Sequence, residues 1–139
     1  MKHSTAVDAV RSAVTAFNDG NIAGYLAHFD PSSKRWIGGV TTPLSFTDID
    51  DNLHQLHAAF ADLHLDEELL FGDERFVCAR WRLRGRHVDD YLGFAPTGHS
   101  IDFETCEVYE IDAGRVIGTW VYGDLDQLIR QISPQADTT

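Results

Sequence analysis

The chain has 139 residues, 43% of them hydrophobic, which is room for one domain with a sizeable core and none for a second. The 22 acidic and 11 basic residues give a formal charge of −11, which repels phosphate backbones and anionic lipid surfaces and so excludes nucleic acid and membrane as expected partners. Met1-Lys2-His3-Ser4-Thr5 lacks the order of a signal peptide, and Cys78 and Cys106 form neither a disulfide framework nor a CxxC metal knuckle, so a cytoplasmic protein is expected.

In chain order, Val7, Val10, Val14 and Phe17 make one apolar stripe at helical spacing, and Gly20 caps its C-terminal end. Asn21 caps a second, shorter helix in which Ile22, Tyr25, Leu26 and Phe29 share a face until Pro31 stops it. A short strand around Arg35-Trp36-Ile37 precedes a loop marked by Gly38-Gly39 and Pro43. Thr47 opens a third helix, with Asp48, Asp50 and Asp51 at the positive end of its dipole and Ile49, Leu53, Leu56 and Phe60 on its buried face. After Asp62 the period changes to two. Strands are expected near 64–71, 75–87, 100–111 and 115–124, broken at Gly72-Asp73, in the 88–98 loop and at Asp112-Ala113-Gly114. Leu125, Leu128, Ile129 and Ile132 suit a closing helix ended by Pro134, in a single domain over 1–139 with frayed ends at about 1–4 and 134–139.

Helices first and long strands afterwards predict an α+β fold with an antiparallel sheet. Arg80, Arg82, Arg84 and Arg86 lie on one face of their strand, and Asp102, Glu104 and Glu110 on one face of the next, so pairing these rows makes that face the outer one. The two-residue period then puts Trp81, Leu83 and His87 on the inner face with Phe103, Thr105, Glu107 and Tyr109, and a tight turn at Ala113-Gly114 continues it through Trp120, Tyr122 and Asp124. Carboxylates and an imidazole among large aromatics are not what a plain core requires. His54 and His57 sit three apart on the third helix but have no further ligand, so no metal site is expected. The stretch from Gly93 to Gly98 has no following helix to bind phosphate and reads as a turn at the rim of the pocket.

Four segments carry a family likeness: Phe60-Ala61-Asp62-Leu63-His64; Gly85-Arg86-His87; Gly93-Phe94-Ala95-Pro96-Thr97-Gly98 leading into Ile101-Asp102-Phe103; and Ala113-Gly114-Arg115-Val116-Ile117 followed by Trp120 and Asp124. With these the chain resembles the SnoaL-like polyketide cyclases of the nuclear-transport-factor-like superfamily. The resemblance implies a cone-shaped curved sheet with N-terminal helices closing over an apolar pocket, a homodimer paired through the exposed sheet face, and chemistry that needs no metal or other cofactor. In the family's cyclases an aspartate at the end of the last long strand is the general acid/base, and Asp124 matches it. The chain departs from the family pattern where Glu107 replaces an aspartate and Arg115 a lysine.

The reaction implied is an intramolecular aldol-type cyclisation of a bulky aromatic or polyketide intermediate. A carboxylate takes a proton from an activated carbon, the enolate attacks a carbonyl of the same molecule, and the alkoxide is reprotonated. The expected catalytic groups are Asp124 as base and acid, Glu107 to orient or hold a proton, and His87 to bind the oxyanion or pass a proton. Trp36, Trp81, Phe94, Tyr109, Trp120 and Tyr122 are expected to bind flat rings, with Tyr25 and Phe29 as a helical lid. Structural alternatives stand beside these roles: a helix cap for Asp124, an ion pair for Glu107, a satisfied polar contact for His87 and core packing for the aromatics. Cofactor-free hydroxylation and epoxide opening are alternative reactions. Epoxide opening needs an arginine among the carboxylates, and the inner face as read here has none. A non-catalytic small-molecule binding module is the reading from another class.

Overall fold

The computed structural model describes residues 5–38, 41–123 and 125–133. Helices α1 (Thr5–Asn18), α2 (Ile22–Leu26) and α3 (Phe46–Ala59) alternate with strand β1 (Phe29–Ile37), and are followed by β2 (Phe60–Gly72), β3 (Phe76–His87), β4 (Ser100–Asp112), β5 (Arg115–Gly123) and helix α4 (Leu125–Ile132). The expected α+β order is therefore present. The sheet order is β1-β5-β4-β3-β2, and every pairing is antiparallel except β1 with β5, which is parallel. The sheet is thus mixed, because β1 enters from the helical layer and reaches β5 only after the whole meander has been laid down. Among the described residues no helix is long and apolar enough to cross a membrane.

Helix α1 buries Ala6, Val10, Ala13, Val14 and Phe17 against the sheet, and Gly20 ends it with φ at 75°, a conformation costly for a residue with a Cβ. The Asn21 side chain accepts from the Gly24 N–H at 2.9 Å and so starts α2, as its cap position predicts. Helix α2 stops sooner than expected. Phe29 belongs to β1, where it pairs with Val116, and Pro31 sits inside that strand at a register irregularity between Phe29 and Lys34. An edge strand tolerates the missing N–H of proline, so Pro31 marks an edge rather than a helix stop. Helix α3 begins one residue before Thr47. Ser45 caps it, accepting from the Asp48 N–H at 3.2 Å while Asp48 accepts from the Ser45 N–H at 3.0 Å, a reciprocal capping box. Phe60 is the first residue of β2 rather than the last of the helix face, and its strand starts four residues before the expected limit at 64.

The predicted charge rows meet on the outer face. Arg82 lies 2.7 Å from Asp102 and Arg80 3.4 Å from Glu104, as the register of β3 and β4 requires. Strand β2 adds Glu68, shared by Arg80 and Arg82, and Asp66, which takes Arg84 at 2.6 Å. The inner faces of β3 and β4 also match the two-residue period: Trp81, Leu83, His87, Phe103, Glu107 and Tyr109 are all buried.

Strand β5 does not continue that face as predicted. A tight turn alone would set Glu107 opposite Trp120, but a bulge between Glu110 and Ile111 shifts the ladder, and Glu107 faces Val121 while Val108 faces Trp120. A shift of one residue sends every later side chain to the other side of the sheet. The inner residues of β5 are therefore Thr119, Val121 and Gly123, while Trp120 and Tyr122 point outward, Tyr122 at 61% exposure. Trp36 is also outward. It pairs with Trp120 in the parallel ladder and stacks on it with ring centroids 4.9 Å apart and planes 8° from parallel.

Candidate active site

The concave side of the sheet and helices α1–α4 enclose a cavity of about 160 Å³. Its walls are mostly apolar: Val14 and Phe17 from α1, Leu53 and Leu56 from α3, Leu65, Leu83, Phe103 and Val121 from the sheet, and Leu128 from α4. Against this surface stand a few polar groups, namely Tyr25, Arg35, Glu107, Tyr109, Thr105, Asn52 and Tyr91. An apolar cleft with a small set of converging polar groups is the usual form of a small-molecule site.

Arg35 is the residue that the sequence reading missed. The sequence predicts that Trp36 binds flat rings and places no arginine on the inner face. In the structure Phe29, Ser33 and Arg35 share the buried side of β1, and Ile37 lines the cavity with Arg35. Had the strand been started at Phe29, its odd-numbered phase would have revealed this. Arg35 is only 7% exposed, donates from one terminal nitrogen to the Tyr25 hydroxyl, and lies over the rings of Tyr25 and Phe29 at 5.8 and 5.6 Å. Its Nε has no partner among the described residues. Burial works against the guanidinium charge, but the surrounding Tyr25, Glu107 and Tyr109 outweigh it and hold the group protonated.

Glu107, also 7% exposed, projects from β4 between its neighbours on the same face, Thr105 and Tyr109. Burial raises its pKa above the ordinary glutamate value; Arg35 and the Tyr109 hydroxyl pull the other way without cancelling the effect. Tyr109 is itself oriented. The indole N–H of Trp81 donates to its oxygen at 3.1 Å, and an indole nitrogen can only donate, so the phenol proton is left for the Glu107 side. Burial, followed by the nearby Glu107 and Tyr25, pushes the Tyr109 phenol well above its usual range, and burial likewise raises that of Tyr25. Both stay protonated donors. Thr105 Oγ1 is buried without a partner, and Gly123 opposite it leaves the room it needs, since a Cβ there would come within 2.9 Å of that oxygen.

Of the residues expected at the site, the structure brings Glu107, Tyr25 and Tyr109 to the cavity. Trp81 and Phe29 stand directly behind it, supporting Tyr109 and Arg35 respectively. Trp36, Trp120 and Tyr122 lie on the opposite face for the register reasons given above. Phe94 is half-buried in the 88–99 loop, bridged to Tyr91, and does not line the cavity. His87 is fully buried but away from the cavity: its Nδ1 accepts from the Thr97 N–H at 3.3 Å and lies 3.1 Å from the Thr97 hydroxyl. A backbone N–H can only donate, so Nδ1 is the acceptor in that contact, which ties His87 to the 88–99 loop. Asp124 lies outside the described residues. Asn52, Tyr91 and Thr105 complete the polar lining; Thr105 was legible on the inner face, whereas Asn52 and Tyr91 meet only in the tertiary fold, 3.4 Å apart.

No group of three or more His, Cys, Asp or Glu is placed to hold a metal among the described residues. His54 pairs with Asp50 at 3.1 Å, and His57 packs on Phe17 with centroids 4.6 Å apart.

Solved structures share this architecture. AclR from Streptomyces galilaeus, a candidate hydroxylase, superposes with a TM-score of 0.83 at 20% identity, covering 91% of this chain and 94% of that one. A candidate SnoaL-like polyketide cyclase from Jannaschia sp. CCS1 gives 0.84 at 18% identity, with 96% and 98% covered. IdmH from Streptomyces antibioticus, a candidate polyketide cyclase, gives 0.79 at 19% identity, with 91% and 96% covered. These likenesses establish the fold. No curated protein sequence matches the chain. The family description "SnoaL-like polyketide cyclase" matches residues 7–132, which span the helical layer, all five strands and the closing helix, and the chain therefore belongs to the SnoaL-like polyketide cyclase family.

Proposed function

We propose that the chain is a cofactor-independent enzyme of secondary metabolism that performs acid/base chemistry on a bulky aromatic or polyketide intermediate, most simply an intramolecular aldol-type cyclisation. The observation that carries this reading is Glu107, a carboxyl raised by burial in an apolar cavity and flanked by protonated donors. A carboxylate whose pKa burial has raised removes a carbon-bound proton better than an ordinary glutamate, and once protonated it returns that proton to the alkoxide. Arg35, Tyr25 and Tyr109 supply hydrogen-bond donors where negative charge would develop on oxygen, in a mostly apolar cavity. Asp124 remains the second carboxyl of the proposal, on the resemblance alone.

The test is deuterium exchange into 2-tetralone, an enolisable bicyclic ketone, followed by NMR. Catalysed exchange that falls about 100- to 10,000-fold in Glu107→Gln supports the reading. Exchange unaffected by Glu107→Gln and lost in Asp124→Asn moves the base to Asp124, and no catalysed exchange at all sinks acid/base catalysis of this class.

Arg35 favours a second reading. Hydrolytic epoxide opening needs a carboxylate to activate water beside an arginine, and the buried Arg35 supplies the group that the sequence reading lacked. Incorporation of oxygen-18 from water into a diol made from styrene oxide would support it.

The outer face supports a homodimer. Phe71, Cys78, Val108, Trp120 and Trp36 are register partners in turn, one from each strand, and form an apolar row across the whole sheet with exposed Tyr122 beside it. A second copy is the occupant we propose for this row, flanked as it is by paired rather than free charges.

A further inference from the structure

Arg35 is at least nine-tenths buried, yet no carboxylate of a described residue lies within 4.0 Å of it. Among the described residues its one side-chain hydrogen bond runs to a neutral phenol, Tyr25, and its Nε has no partner. A guanidinium does not give up its proton in a protein, so the cavity carries a fixed positive charge with unused donors. Glu107 is the nearby countercharge, but it makes no ion pair with Arg35 within 4.0 Å and burial favours its neutral form, so the cost of burying the guanidinium is recovered when another anion takes the vacant donors. A second orphan lines the same cavity: Thr105 Oγ1 on β4, buried without a partner and able to donate. Apart from Glu107 and Asn52 the rest of the lining is aliphatic and aromatic, which suits a flat ring system and not a small hydrated ion.

We infer that Arg35, with Thr105, forms an anion-recognition subsite, and that the cavity selects flat ring systems already carrying a negative charge on oxygen when they enter, as a carboxylate or as the enolate of an acidic dicarbonyl. This deepens the acid/base reading and rests on it for the identity of the site, since it names the class of substrate the site accepts. It also gives the site an order of events. The oxygen anion docks on Arg35, which fixes the ring system relative to Glu107, and a neutral analogue of the same shape is held less well. Charge-assisted hydrogen bonds of this kind are directional and stronger than neutral ones.

The experiment compares 2-naphthoate with 2-naphthamide, nearly the same shape with and without the charge, by isothermal titration calorimetry at pH 7. The wild-type protein is expected to bind naphthoate at least about tenfold more tightly than naphthamide. Arg35→Gln removes that preference while leaving naphthamide affinity within about threefold, and Arg35→Lys, which keeps the charge without the fork, retains part of it. If Arg35→Gln fails to fold, Arg35→Lys and the wild-type preference decide the matter. Equal affinities in the wild-type protein, a preference that survives Arg35→Gln, or binding of neither compound overturns the subsite. Equal affinities together with Glu107-dependent exchange of 2-tetralone would remove the subsite and leave the acid/base reading standing; an anion preference without exchange would do the reverse.

Discussion

The bond between Trp81 and Tyr109 ties the core to the chemistry, and breaking it makes a quantitative prediction. Trp81 is 1% exposed and Tyr109 2%, so neither partner finds water if the other is removed. Tyr109→Phe deletes one oxygen with little change of shape and strands the indole N–H, at an expected cost of about 1–3 kcal/mol. For a domain of this size that is a fall of roughly 3–12 °C in melting temperature. Trp81→Phe loses the same bond plus the volume of the indole, and should cost more because the site cannot collapse fully. Both changes break one interaction, so the double variant should be more stable than the sum of the single losses implies, by about 1–3 kcal/mol in a cycle of denaturant titrations. Tyr109→Phe also removes one of the two groups that pull the Glu107 pKa down, so the limb of the pH–rate profile governed by the base should move to higher pH. Additivity of the two stability losses within about 0.5 kcal/mol, or an unmoved pH profile, would refute the coupling between core and base.

Glu107→Gln should reverse its effect on stability with pH. The folded-state pKa of Glu107 lies above its unfolded value, so the native state holds the proton more tightly, and stability falls as pH rises from the unfolded pKa through the folded one. The glutamine variant should therefore be more stable than the wild type above that window and lose the advantage below it, as chemical denaturation at a series of pH values would show. Thr105→Val replaces a buried orphan hydroxyl with a methyl and should stabilise the unliganded protein by about 0.5–1.5 kcal/mol in thermal unfolding while weakening naphthoate binding. Trp120→Glu puts a charge into the outer apolar row, and analytical ultracentrifugation should show the dimer shifting to monomer with exchange of 2-tetralone retained; an unchanged sedimentation coefficient would place the interface elsewhere.

Much of this protein was legible in its residues because short-range rules decide it. The stripe of α1, the Asn21 cap, the opposed charge rows of β3 and β4 and the inner face that includes Glu107 and Tyr109 all follow from spacing within one element or between two strands joined by one loop. The family resemblance was equally readable, and the match over residues 7–132 agrees with it. The errors lie where one residue of register matters. The bulge between Glu110 and Ile111 leaves no mark in the periodicity of β5, yet it sends Trp120 and Tyr122 out and brings Thr119 and Val121 in. Likewise Phe29, whose helical spacing continued that of α2, was claimed by β1 through its pairing with Val116, and with it went the phase that turns Arg35 inward. Sequence alone determined the fold class, the family and the buried carboxyl; only the tertiary structure decided that the charge beside it is an arginine, because the phase of β1 is fixed by pairing with β5, 80 or more residues away.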